Sequence, residues 1–169
     1  MPMHSFMSEF PELGQAECRV MVVVRGDEGL PADRYALVEM YCNERGCDCR
    51  RVSLNVISET TGKTLCVISY GFDRDDPFSG PFIDPLNPRA KCADELLEMV
   101  DNLVLSDPKY VARLERHYRM FKEKVWGERQ VARISGPVRL SEEQVAERIS
   151  ERKQRHKALR RAQQRRGAR

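Results

Sequence analysis

The chain of 169 residues is 41% hydrophobic and 33% charged, which is typical of a soluble protein with a highly charged surface. No apolar run approaches the roughly 20 residues of a membrane span, and residues 1–14 lack the basic start and apolar stretch of a secretory signal. These features predict a cytoplasmic protein without a membrane partner. In that compartment thiols stay reduced, so the six cysteines are available for metal or redox chemistry.

The positive charge is concentrated at the C-terminal end. The chain has a net charge of +3, but residues 141–169 carry ten basic and four acidic side chains, which leaves −3 for the preceding part. A basic tail on an acidic body favours contact with RNA or DNA, and a purely solubilising role is the alternative. The residues predicted to bind nucleic acid are Arg152, Lys153, Arg155, Lys157, Arg160, Arg161, Arg165 and Arg166.

The first half of the chain predicts an irregular segment followed by strands. Residues 1–16 contain two prolines and a glycine and show no sustained period, so we expect them to be irregular and loosely ordered. The β-branched run at 18–24 predicts a buried strand. Residues 35–42 favour a strand over a helix, residues 50–58 alternate with a period of two, and residues 65–72 return after a turn. The last three segments predict an antiparallel meander.

The second half of the chain predicts a connector and two helices. Residues 73–89 contain four prolines and should form an extended connection over the surface. Apolar residues recur at helical spacing over 90–104 and again within 106–126. The second of these segments begins with a capping side chain before an early proline, which is typical of a helix start.

The predicted fold is therefore α+β, a small antiparallel β-sheet packed by two helices in a domain that spans residues 17–126. This length is sufficient to bury a single hydrophobic core. Residues 127–140 are predicted to form a linker. Residues 141–169 are predicted to form a basic tail, which begins with a capping box and is either helical or disordered.

Three of the six cysteines lie within eight positions, between two predicted strands. Cys42, Cys47 and Cys49 form the pattern C-x4-C-x-C. Because neighbouring strands lie about 5 Å apart, a loop between paired strands should bring all three sulfurs together. Zinc binds thiolates strongly, and the adjacent Arg50 and Arg51 should favour the thiolate form. The loop is therefore predicted to bind a metal, with zinc expected and an iron–sulfur cluster as the alternative cofactor.

A tetrahedral zinc site needs a fourth ligand, which the spacing does not identify. If the turn after the strand at 50–58 is centred at residues 61–62, residue i pairs with residue 123 − i, counted along paired strands. This register places Cys66 opposite Ile57, far from the loop, and predicts a buried core cysteine. The candidates for the fourth ligand are Asp73, Asp75, Asp76, Cys92, His117 and Cys18.

Two other interpretations also fit the clustered cysteines. Three reduced cysteines with a structural role in a turn are the simplest alternative to a metal site. A thiol-based redox enzyme or sensor centred on Cys47 and Cys49 is the second functional hypothesis, because a C-x-C pair can form a strained disulfide.

His117 lies among apolar residues and is predicted to pack half-buried on the core. Without a nucleophile elbow or triad spacing, no catalytic residue is assigned and a non-enzymatic role is favoured.

The cysteine loop also carries a sequence signature. The pattern Y-C-x4-C-D-C-R-R-V at 41–52 is followed by Tyr70-Gly71 and by Asp-Pro-Leu-Asn-Pro at 84–88. In these features the chain resembles a family of uncharacterised bacterial proteins that share the signature. The resemblance runs from about residue 35 to residue 121 and implies no activity. The basic tail lies outside it.

Overall fold

The computed structural model describes residues 3–26, 29–73, 76 and 79–127. The chain divides into two compact units, Met1–Pro137 and Val138–Arg169, and every described residue belongs to the first. The predicted tail at 141–169, with all its proposed nucleic-acid-binding residues, lies outside the described residues. The same holds for the predicted linker at 127–140, apart from its first residue.

The described residues form an antiparallel sheet with flanking helices, which confirms the predicted α+β class. The strands are β1 (Met3–Ser5), β2 (Arg19–Val23), β3 (Asp33–Cys42), β4 (Arg51–Ser58), β5 (Thr64–Gly71) and β6 (Phe82–Ile83). β4 pairs with one edge of the long strand β3, and β1 and β2 pair with successive parts of its other edge. β5 and β6 continue the sheet beyond β4. The predicted meander is confirmed as β3–β4–β5.

Two of the helices are those that the sequence predicts. The helices are α1 (Phe6–Glu9), α2 (Pro11–Ala16), α3 (Ala93–Met99) and α4 (Pro108–Trp126). α3 continues directly into a π-helical turn, Val100–Val104. The N-cap of α4 is Asp107, whose carboxylate accepts a hydrogen bond from the Lys109 backbone N–H at 2.9 Å. The buried stripe of α4 joins the sheet in one core through Tyr110, Leu114, Tyr118 and Phe121.

The N-terminal segment is not irregular, and the prediction for residues 1–16 is wrong where the structure describes them. β1 pairs with the end of β3, from Met3 opposite Cys42 to Ser5 opposite Met40. The Phe6 ring is buried and stacks on the His117 ring, with 4.1 Å between centroids. These elements are only three to six residues long. Such short pieces carry no clear periodicity and are stabilised by docking on the rest of the fold.

Two segments of the chain, 18–24 and 73–89, differ from what the sequence predicts for them. The run at 18–24 was expected to be a buried strand, but β2 lies at an edge of the sheet, with Met21 buried and Val22 57% exposed. A β-branched run fits an edge strand as well as a buried one, because β propensity reports packing on a pleated surface. The predicted connector at 73–89 includes the short strand β6, which pairs with β5.

Cys66 is a core cysteine, as predicted, although its register differs by one residue. It lies opposite Val56 and not Ile57, because residue i of β4 pairs with residue 122 − i over Arg51–Val56 and not with residue 123 − i. A one-residue shift exchanges the two faces of a strand, and the observed register buries Cys66 and Val56 together. Burial raises the pKa of the Cys66 thiol to about 12.

We expect Cys66 to be among the last thiols to react in the native protein. Its side chain is fully buried, and its raised pKa leaves little thiolate at neutral pH, which is the form that alkylating reagents attack. Partly exposed Cys18 provides the internal comparison. Mass spectrometry after timed alkylation should show Cys18 modified well before Cys66. Equal labelling rates in folded protein would contradict the strand assignment.

Candidate metal centre

The three clustered cysteines lie on the loop that joins β3 to β4. Cys42 is the last residue of β3, and β4 starts two residues after Cys49. The loop turns through positive φ angles at Gly46 (81°) and Arg50 (43°). A left-handed conformation costs a non-glycine residue about 1–2 kcal/mol, so Arg50 is held there by its surroundings. Its backbone N–H donates to the Tyr118 hydroxyl at 3.3 Å, and its carbonyl accepts from the Phe72 N–H at 2.8 Å.

The sulfurs of Cys42, Cys47 and Cys49 lie within 4.8 Å of one another. Cys42 is buried, and the other two are partly exposed. Zinc–sulfur bonds of about 2.3 Å in a tetrahedral site correspond to sulfur–sulfur separations of about 3.8 Å. Small side-chain movements would therefore bring the three atoms to a common ion. The group could hold a metal, as the spacing predicts.

A buried lysine supports this loop, and the sequence analysis did not single it out. Lys122 on α4 is 0% exposed. Its ammonium donates to the backbone carbonyls of Cys42 at 2.7 Å and Cys47 at 3.0 Å. The same nitrogen lies 4.0 Å from the centroid of the Trp126 ring. Lys122 follows Tyr118 by four residues and precedes Trp126 by four, so it lies on the buried stripe of α4. This spacing is the sequence signal by which a buried Lys122 could have been predicted.

Burial and not the adjacent arginines dominates the acidity of these thiols. Burial raises the pKa of Cys47, and it raises the pKa of Cys49 to about 12, while Lys122 lowers both pKa values by a smaller amount. The lowered pKa values expected beside Arg50 and Arg51 are not found at Cys47 and Cys49, because burial outweighs the nearby positive charge. The Arg51 guanidinium instead donates to Asp76 at 2.9 Å and to the Ser69 hydroxyl at 3.1 Å. A bound metal would stabilise the thiolates directly.

Tyr118 connects the loop to α4 at a second point. Its hydroxyl donates to the Asp48 carboxylate at 3.0 Å and accepts the Arg50 N–H already described. Burial and the neighbouring Cys49 and Asp48 raise the pKa of this hydroxyl. Tyr118 and Lys122 thus fix both halves of the cysteine loop from one face of the same helix.

No fourth His, Cys, Asp or Glu joins the group among the residues that the structure describes. Cys18 donates to the Leu37 carbonyl, with 3.7 Å between sulfur and oxygen. Cys92 is the N-cap residue of α3, and Asp76 pairs with Arg51. Asp73 and His117 are likewise not members of the group, and Asp75 lies outside the described residues.

His117 occupies a separate buried cluster of charged groups. Its side chain is only 1% exposed, so it is buried more deeply than the half-burial predicted from the sequence. Its Nδ1 lies 2.7 Å from a Glu39 oxygen and its Nε2 lies 2.9 Å from a Glu17 oxygen. The Tyr41 hydroxyl donates to the same Glu39 oxygen at 2.9 Å. The adjacent cavity measures about 10 Å³, which is room for about one water molecule.

Glu39 and Glu17 were not singled out from the sequence, although Glu39 carries a signal. Tyr35, Leu37, Glu39 and Tyr41 alternate along β3, and all four are buried. A charged residue in register with buried neighbours needs a partner of opposite charge or a hydrogen-bond donor. The sequence therefore indicates an internal ion pair at Glu39 but not the identity of the partner.

Comparisons of the chain with protein-family models, with curated proteins and with solved structures give no match. Among the described residues, none of the helices has both the length and the apolar character needed to cross a membrane.

Proposed function

We propose that this protein is a zinc-binding protein whose metal is held by Cys42, Cys47 and Cys49. The observation that carries the proposal is the convergence of three sulfurs within 4.8 Å on a loop fixed by α4. Zinc accepts thiolate ligands in a tetrahedral geometry without redox chemistry. A water molecule, or a ligand from outside the described residues, would complete the tetrahedron. The metal would then fix the β3–β4 connection, a structural role in a protein that is not an enzyme.

Elemental analysis of protein prepared without oxygen tests the proposal. We expect about one zinc per chain that survives dialysis, because a structural zinc site binds tightly at neutral pH. Iron together with acid-labile sulfide would instead identify an iron–sulfur cluster. A preparation with no metal, and with no uptake of added zinc, would contradict the proposal.

A thiol-based redox site centred on Cys47 and Cys49 is the weaker alternative. Reactive thiols usually have a lowered pKa, whereas burial raises the pKa of both residues. The redox hypothesis expects rapid alkylation of metal-free Cys47 and Cys49 and a reversible disulfide between them. The zinc proposal expects that added zinc protects both thiols from alkylation.

We further propose that the basic tail contacts RNA or DNA in the cytoplasm without sequence preference. From residue 152 onward the tail carries nine basic residues and no acidic or aromatic one. Phosphate contacts release condensed counterions, so the affinity should fall steeply with salt. The absence of aromatic side chains in this stretch removes the stacking that many single-strand binders use.

Removing residues 151–169 should abolish this binding. The full chain should bind a fluorescent RNA or DNA oligonucleotide weakly at low salt, because residues 151–169 carry nine basic side chains and only one acidic one. The shortened chain should not bind, and its thermal unfolding should match that of the full chain. Equal affinity of the two proteins at one ionic strength would assign the binding to another surface. If neither protein binds at low salt, the tail has a solubilising role and no contact with nucleic acid.

A further inference from the structure

Lys122 introduces a buried positive charge next to the three thiols. None of the ion pairs among the described residues includes it. The ammonium is satisfied by two carbonyls of the cysteine loop and by the rings of Trp126 and Tyr118, at 4.0 and 5.4 Å from the centroids. Burying a charge without an opposite charge is costly. The structure therefore favours a metal–thiolate complex in the loop that carries net negative charge.

The charge of a three-thiolate complex depends on the ion that it holds. A divalent ion such as Cd²⁺ displaces three protons from three thiols and forms a complex with one net negative charge. Arsenous acid, As(OH)₃, condenses with three thiols, releases three water molecules and forms a neutral complex. A cuprous ion forms a complex with two negative charges. Only the divalent complex is balanced by one lysine ammonium.

We infer that the cysteine centre takes divalent thiophilic ions in preference to trivalent ones, and that Lys122 sets this preference. The inference rests on the proposed metal site. The ammonium of Lys122 lies 2.7 Å from the Cys42 carbonyl oxygen and 3.0 Å from the Cys47 carbonyl oxygen, so its electrostatic field reaches the cysteine centre. Opposite unit charges about 6 Å apart at an effective dielectric constant of about 20 change a binding constant roughly 100-fold. A neutral complex gains nothing comparable from the same charge.

The test compares two ions in full-length, metal-free protein under reducing conditions. Cd²⁺ binding is followed by the ultraviolet absorption of cadmium–thiolate bonds, and arsenite binding by competition with Cd²⁺. Lys122→Met should weaken Cd²⁺ binding roughly 10- to 100-fold and should change arsenite binding by less than about threefold, because the neutral complex has no net charge for Lys122 to balance. Both ions use the same three sulfurs, so a loosened loop would weaken both, and the affinity ratio isolates the effect of charge.

Two control variants separate charge from packing. Lys122→Arg retains the positive charge and should retain the wild-type affinity ratio. Lys124→Met removes the same charge from the same helix, at a side chain that is 48% exposed and pairs with Glu9. It should leave both affinities unchanged. A peptide of residues 41–52 contains the three cysteines without Lys122 and supplies the reference ratio if Lys122→Met does not fold.

The outcomes distinguish the inference from the proposed function. Wild-type protein should favour Cd²⁺ over arsenite at least tenfold more than the peptide does. An equal ratio in protein and peptide, or a parallel loss of both ions in Lys122→Met, would overturn the role of Lys122 while the metal site stands. Wild-type protein that binds neither ion would overturn the metal site, and the inference with it.

Discussion

Replacing Cys49 with serine should remove the zinc that we propose for the cysteine loop and destabilise the folded domain. A serine hydroxyl is a poor substitute for a thiolate, and the remaining two sulfurs cannot complete the site. A ligand at 1,000 times its dissociation constant stabilises the folded state by about 4 kcal/mol. At about 2–4 °C per kcal/mol for a chain of this size, the melting temperature should fall by about 10 °C. Elemental analysis and calorimetry on the same preparation measure both effects.

Cys18→Ser is the matched control for Cys49→Ser. Cys18 is also partly exposed, but it is not a member of the cluster, and its sulfur donates to the Leu37 carbonyl. A serine hydroxyl can donate to the same carbonyl. The control should retain full zinc content and a melting temperature close to that of the wild type. Equal zinc content in both variants would show that Cys49 is not a ligand.

Replacing His117 with leucine should destabilise the domain by about 3–5 kcal/mol, since it leaves a charged partner buried without its counterpart. Glu39 is 7% exposed, and its carboxylate lies 2.7 Å from the His117 ring. Denaturant unfolding measures the change, which is a large part of the roughly 5–15 kcal/mol that holds a domain folded.

A double variant separates the lost contact between His117 and the Glu39 carboxylate from lost packing. Replacing both His117 and Glu39 with leucine removes the unpaired charge, so the double variant should be more stable than the single one. His4→Leu is the exposed control, because the His4 side chain is 53% exposed, and it should change stability by no more than about 0.5 kcal/mol. If His117→Leu changes the free energy of unfolding by no more than about 0.5 kcal/mol, the buried cluster contributes little to stability.

The outline of the fold could be predicted because its signals are local. Residues of β3, β4 and β5 alternate or follow turn residues, and α4 begins with an N-cap aspartate and a proline, so each signal lies within a few neighbouring positions. The cysteine cluster is also local, because its three members lie within eight residues between paired strands. The register of β5 was missed by one residue, because the turn residues Thr60, Thr61 and Gly62 do not fix where the pairing of β4 and β5 is centred.

The sequence by itself determined which residues can bind a metal, and the tertiary structure decided what surrounds them. Lys122 reaches the Cys42 carbonyl across 80 positions, and His117 meets Glu39 across 78 and Glu17 across 100. Such contacts depend on how α4 and the N-terminal segment dock on β3, and no local pattern encodes that docking. The type and spacing of the ligands are therefore local properties, whereas the charge that balances them is set by packing across the fold.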